Sequence, residues 1–238
     1  MQTFDFARPF QFVFEDPAWL KKVLMLALFM LIPFVGVFVL IGFQIRMMRY
    51  IADGNTSGIP DVNFGEDLVN GLKAFVAMLG YMLPGGVIYF GGVIVGAILA
   101  GVMGNNSGDA ASSLPAIPMF AGMCIGGPLF FIGALLAPIA MLRFADEGTI
   151  GAAYRFGEVF AFIKNNIMNI ILAIVVGMIA QFVAQFGIIL CFVGIFLTAA
   201  FAMIVQGHAW GQVLKLDRAR TGGGSPAPIV RTPVAGAY

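Results

Sequence analysis

From Ile167 to Gln206 the chain runs for 40 residues without one charged side chain. An α-helix advances about 1.5 Å per residue, and the hydrocarbon core of a bilayer is about 30 Å thick, so about 20 residues make one crossing. Forty residues therefore predict two crossings joined by a turn. Glutamine and glycine supply the only punctuation, which places the turn at Gln185-Phe186-Gly187. Three further charge-free runs, Val23–Ile45, Ala74–Val102 and Met119–Leu142, repeat the pattern. Composition agrees: 60% of the 238 residues are hydrophobic and 11% charged, against about 25% charged in a soluble domain. The expected fold is an all-α, polytopic transmembrane helical bundle. Four spans are clear (74–102, 119–142, 167–186 and 188–208), and Pro33 breaks a first apolar segment, 23–45, that either spans or re-enters. Residues 1–22 read as an N-terminal interfacial segment, 23–214 as the transmembrane domain and 215–238 as a flexible cytoplasmic tail rich in Gly, Ser and Pro.

Thirteen Lys and Arg balance 12 Asp and Glu, which excludes a strongly basic nucleic-acid binder. Cys124 and Cys191 both lie inside apolar runs and read as small core residues, with no metal or disulfide spacing. The first 20 residues contain Asp5, Glu15 and Asp16 and lack a signal-peptide pattern, so the first apolar segment is expected to stay as an anchor. Asp16-Pro17 reads as a helix start, Trp19 as a headgroup-level ring and Lys21 and Lys22 as snorkelling cations. Pro84, Pro128 and Pro138 interrupt apolar runs, and Pro84-Gly85-Gly86 is expected to kink or unwind its helix unless neighbours satisfy the freed groups.

Two polar connections, 46–73 and 143–166, echo each other. Arg49-Tyr50-Ile51-Ala52-Asp53-Gly54 resembles Arg143-Phe144-Ala145-Asp146-Glu147-Gly148, and Phe64-Gly65-Glu66 recurs as Phe156-Gly157-Glu158. One reading is a parallel internal repeat, with both connections on one side; the other is the ordinary gathering of Arg, aromatic and Gly residues at helix ends. The basic residues fall in these connections and the tail, while 103–118 and 185–189 carry none, so the positive-inside rule puts connections and C-terminus in the cytoplasm. Arg8, Lys21 and Lys22 lie outside if the first segment crosses and inside if it returns at Pro33.

Candidate functional residues are few. Arg46, Arg49, Arg143 and Arg155 are candidates for an anionic lipid headgroup, or else topology-setting charges. Glu66 and Glu158, at matched repeat positions, read as a carboxylate pair or as helix N-terminal acids. His208, the one histidine, reads as a membrane-boundary residue or a proton acceptor. Gln181 and Gln185, one turn apart, read as interhelical glue or the lining of a polar path. Gly92–Gly96, Gly122–Gly126 and Gly207–Gly211 fit GxxxG, which lets helices approach closely. No nucleotide-binding, zinc-hydrolase or serine-hydrolase motif occurs, and no acid or base lies deep in the spans, so neither catalytic residue nor cofactor nor metal is expected. A membrane enzyme would require His208 to meet Glu66, Glu158 or Asp146 in one cavity.

Taken in order, Asp16-Pro17-Ala18-Trp19-Leu20-Lys21-Lys22, Gly42 with Arg46 and Arg49, Gly58-Ile59-Pro60, Gly71-Leu72-Lys73, Tyr81, Pro84, Phe156-Gly157-Glu158 through Asn166, and His208 to Gln212 resemble a prokaryotic multi-pass membrane-protein family catalogued as domain of unknown function 4013. The resemblance covers about residues 4 to 214. It implies membrane topology in a prokaryotic cytoplasmic (inner) membrane and transfers no catalytic residue. The expected role is a non-enzymatic integral membrane protein, an oligomeric or accessory subunit that packs with other membrane subunits or itself; the alternative is a carrier or binder of lipid or another apolar solute. Membrane lipids are expected partners, and nucleic acid is not.

Overall fold

A computed structural model describes residues 3–103 and 113–222, with the side chains of 190–193 excepted. Described residues form helices joined by turns, with no strand among them. In chain order these are α1 (Arg8–Phe14), α2 (Trp19–Met30), α3 (Val35–Ala52), α4 (Phe64–Met103), α5 (Ala116–Ala121) continued through a π-helical turn (Gly122–Gly126) into α6 (Gly127–Glu147), α7 (Ile150–Ala153), α8 (Phe156–Gln185), a 3-10 turn (Phe186–Leu190) and α9 (Cys191–Thr221). Five rods are long and apolar enough to cross a membrane: 35–52, 64–103, 116–147, 156–189 and 194–221. The all-α polytopic bundle expected from the charge-free runs is the fold observed.

The helices outrun those runs at their charged ends. Residues 46–52 and 64–73 are helical, so the first connection shrinks to 53–63; 143–147 and 156–166 are helical too. Residues 215–221, assigned to a flexible tail, form the last turns of α9, where Leu214 and Asp217 are buried. Charge ends a hydrocarbon-compatible run without ending a helix, because Lys, Arg and Glu are good helix formers. Residues 223–238 and most of the 103–118 loop lie outside the described residues.

Helices pack in the lateral order α6, α4, α3, α9, α8, with α1 and α2 laid on α9. At the α3–α4 crossing, a Cβ on Gly42 would collide with the Asp67 backbone and one on Gly71 with that of Phe38. Only hydrogen side chains permit this approach. Pro84 does not break α4, which stays helical from Phe64 to Met103. Pro128 falls in the first turn of α6, just after the π-helical turn, where a missing N–H is cheap.

Pro33 does break the first apolar segment. Val35 N–H bonds the Pro33 carbonyl (2.8 Å), a three-residue turn that holds Phe34 at φ 62°, ψ −67°. The chain reverses there. The Asp16 carboxylate, before α2, accepts a hydrogen bond from Ile59 N–H (2.7 Å), beyond α3, so both limbs have their outer ends at one end of the molecule. The segment is a helical hairpin. Its first limb, α2, is about 18 Å long, and its second, α3, is the limb long and apolar enough to cross a membrane. Rods 64–103, 116–147, 156–189 and 194–221 alternate in direction between two ends.

Candidate functional site

All charged residues of the described chain lie toward one end, where they pair mostly with each other. Arg46, on the last turns of α3, donates from Nε to Asp67 (2.8 Å) and lies 3.0 Å from Glu66, both in the first turn of α4. Asp67 is fully buried and also accepts the Asn63 N–H. Arg49 donates to the carbonyls of Ala145 (2.7 Å) and Phe144 (3.3 Å), with its guanidinium 5.7 Å from the Phe144 ring centre. Arg143 pairs with Asp146, Glu147 and Glu158, and Arg155 with Glu147 and Glu158. Arg218, which sequence reasoning passed over, ties Asp53 to Asp146 across three helices. Asn166 sits at a kink in α8 (φ −121°, ψ 16°) and donates to Asp217 on α9 (2.5 Å).

The four arginines proposed for a headgroup are thus engaged within the chain. Glu66 and Glu158 bind different arginines and share no site. At the hairpin base Lys22 does not snorkel outward: its ammonium bonds Asp16 (2.8 Å), the Ile59 carbonyl and Asp61 (3.3 Å). Asp16 accepts the Ala18 N–H, but the helix itself begins at Trp19. Burial raises the Asp16 pKa, yet Lys22 and the N–H groups of Ile59 and Ala18 outweigh it and hold the carboxyl below its usual value. Burial likewise lowers the Lys22 pKa, and the bonds to Asp16 and Asp61 outweigh it and raise it.

His208 is buried in α9, its ring 4.6 Å from that of Phe12 and its Nδ1 3.3 Å from Gln212 Nε2. Gln212 in turn exchanges hydrogen bonds with the Asp5 backbone. The polar pocket beside it is lined by Asp5, Arg8, Asn55, Thr56 and Lys215, and by none of Glu66, Glu158 or Asp146 among the described residues. His208 is an interior residue of the N-terminal clasp.

A second cavity, of about 400 Å³, lies within the apolar band. Helices α6 and α8 scarcely touch each other, and the gap between them is the cleft. Pro138 and Leu135 form one wall, Ala173, Gly177 and Met178 the other, while Gln44 and Met48 of α3 and Gln206 and Trp210 of α9 form the floor. Leu135, Met178 and Gln181 are exposed at the mouth, which therefore opens sideways toward lipid. Gln44 is about 8 Å along α3 from Arg49, and Gln206 about 18 Å along α9 from Arg218, which spans the middle of a bilayer. Gln181 lines the cleft; Gln185, the last residue of α8, does not. Gln44 was missed because it stands alone in its apolar run, and Gln206 because it closes its run with no helical spacing to Gln181 or Gln185 that would mark it.

The GxxxG glycines are occupied inside the chain. Gly92 and Gly96 face Pro118, Met119 and Gly122; Gly122 and Gly126 face α4; Gly207 and Gly211 face Met47, Met48 and Ile51 of α3. Cys124 is exposed on the outer surface instead of being a core residue.

A family model described as "Protein of unknown function (DUF4013)" matches residues 25–193, which is 169 of the 238. The chain belongs to the DUF4013 family. The match takes in three of the four helices that line the cleft, α3, α6 and α8, and only the first residues of α9. The Asp16–Lys22 and His208–Gln212 stretches of this DUF4013 chain lie beyond it. No curated protein and no solved structure matches the chain.

Proposed function

We propose that this integral membrane protein is a non-enzymatic binder or carrier that draws a lipid or another apolar solute from the bilayer into the α6–α8 cleft. The observation that carries this reading is the cleft itself: an unfilled gap in the apolar band, open at the side, with Gln44, Gln181 and Gln206 converging on it. Its volume falls within the range of about 300 to 1,000 Å³ usual for ligand pockets. A headgroup clamp made of the four arginines is disfavoured, since each already has partners. An accessory-subunit role has less support than the glycine pattern promised, because those glycine faces are covered from within. By the positive-inside rule, the charged end and the C-terminal end of α9 face the cytoplasm of a prokaryotic cell.

Trp210 lines the cleft and Trp19 is the other tryptophan of the chain. In a Trp19→Phe protein reconstituted in nanodiscs, lipids with brominated chains should quench Trp210 in a saturable way. Ala134→Phe, which narrows the cleft from the α6 wall, should abolish saturation. Quenching that rises only linearly with brominated lipid in both proteins would remove the proposal.

A further inference from the structure

Gln44, Gln181 and Gln206 have no hydrogen-bond partner among the described residues. Each primary amide carries two donors and an acceptor, and leaving such groups unpaired in hydrocarbon is costly, at about 4 to 8 kcal/mol in the alkane limit. Polar side chains in spans ordinarily bond a neighbouring helix; here the three line one gap, Gln44 and Gln206 at its floor and Gln181 at its mouth. An occupant that hydrogen-bonds them completes the site.

The amide chemistry restricts that occupant. An acceptor alone, such as a ketone, can meet amide N–H groups but no amide oxygen, whereas a hydroxyl accepts from N–H groups and also donates to one amide oxygen. Charge restricts it further. No ionisable side chain lines the cleft among the described residues, so an anionic headgroup about 8 to 18 Å inside the charged end would be uncompensated. Arg46, Arg49 and Arg143 are held by Asp67, by the α6 carbonyls and by Glu158. Resting on the lipid-binding reading above, we propose that the cleft selects an uncharged, hydroxyl-bearing lipid, of the diacylglycerol or long-chain alcohol class, and rejects its phosphorylated counterpart.

The test uses the full chain carrying Trp19→Phe in phosphatidylcholine nanodiscs, titrated with chain-brominated diacylglycerol or with phosphatidic acid bearing the same chains. Diacylglycerol should quench Trp210 saturably, and phosphatidic acid should need at least tenfold more. Combined Gln44→Leu, Gln181→Leu and Gln206→Leu substitution should weaken diacylglycerol at least tenfold. Should the triple variant not fold, Gln181→Leu, an exposed position, should alone weaken it several-fold. Equal quenching by both lipids, or full retention in the glutamine variants, overturns the headgroup assignment while leaving lipid binding in place. Absence of saturable quenching by either lipid, with saturation by phosphatidylcholine carrying brominated chains, also overturns the headgroup assignment alone. Absence with all three overturns both.

Discussion

Arg46 and Asp67 form an ion pair of the charged end in which Asp67 is fully enclosed. Arg46→Met strips a sealed carboxylate of its cation and should destabilise the protein by about 3 to 5 kcal/mol. Adding Asp67→Leu should recover most of that loss, and unfolding in mixed micelles measures both. Asp16 and Lys22 make a second pair whose sign can be worked out. A depressed Asp16 pKa contributes stability that is complete above the usual 3.8 and lost as pH falls through the lower folded value. A raised Lys22 pKa contributes stability that is complete below 10.5 and lost as pH rises through the higher folded value. The unfolding midpoint should therefore owe nothing to this pair's titration between about pH 5 and 10. Lys22→Met brings the folded Asp16 pKa back up toward 3.8 and should shrink the acid decline, and a pH series of thermal scans showing an undiminished decline would contradict this. Such cations were legible in the sequence as helix-end charges. Their partners were not, since Asp67 is 21 residues from Arg46 and Asp53 is 165 from Arg218.

Among the helices, the four long rods were legible because hydrocarbon demands length and forbids charge. Their ends were not, since the last turns hold charges that pair across helices. The weak repeat is instructive on this point. Both connections do lie at one end, and the matched Glu66 and Glu158 each bind an arginine there, although Glu66 takes Arg46 and not Arg49, the residue aligned with Arg143. Packing then diverges: α3 and α4 close upon Gly42 and Gly71, whereas α6 and α8 splay. The cleft occupies the place where the second pair fails to imitate the first. Sequence likeness at the connections carries no information on how far the rods separate beyond them. The hairpin turn is a further element-scale feature, with a non-glycine residue in a sparsely populated conformation. Phe34 is 80% exposed, so replacing it loses little packing. Phe34→Gly should stabilise the fold by about 1 kcal/mol by relieving backbone strain, and a lowered or unchanged unfolding midpoint would contradict this.

At the scale of the whole molecule, hairpin plus four alternating rods puts residue 3, the 53–63 connection and the end of α9 together. Single cysteines at Ser57, Thr149 and Arg220, in a Cys124→Ala, Cys191→Ala background, should react with a membrane-impermeant maleimide from one face of sealed vesicles. Cysteines at Leu114 and Ile188 should react from the other, and a shared face for Ser57 and Leu114 would refute this arrangement. One contact has an outcome for how the protein is made. Asp5 is joined to Gln212, 207 positions later, and α1 and α2 lie on α9. Segments that leave the ribosome early must therefore wait for the last rod before they can settle. A nascent chain halted before α9 holds α1 and α2 without their seat, open to quality-control proteases, and only completion of translation closes the clasp.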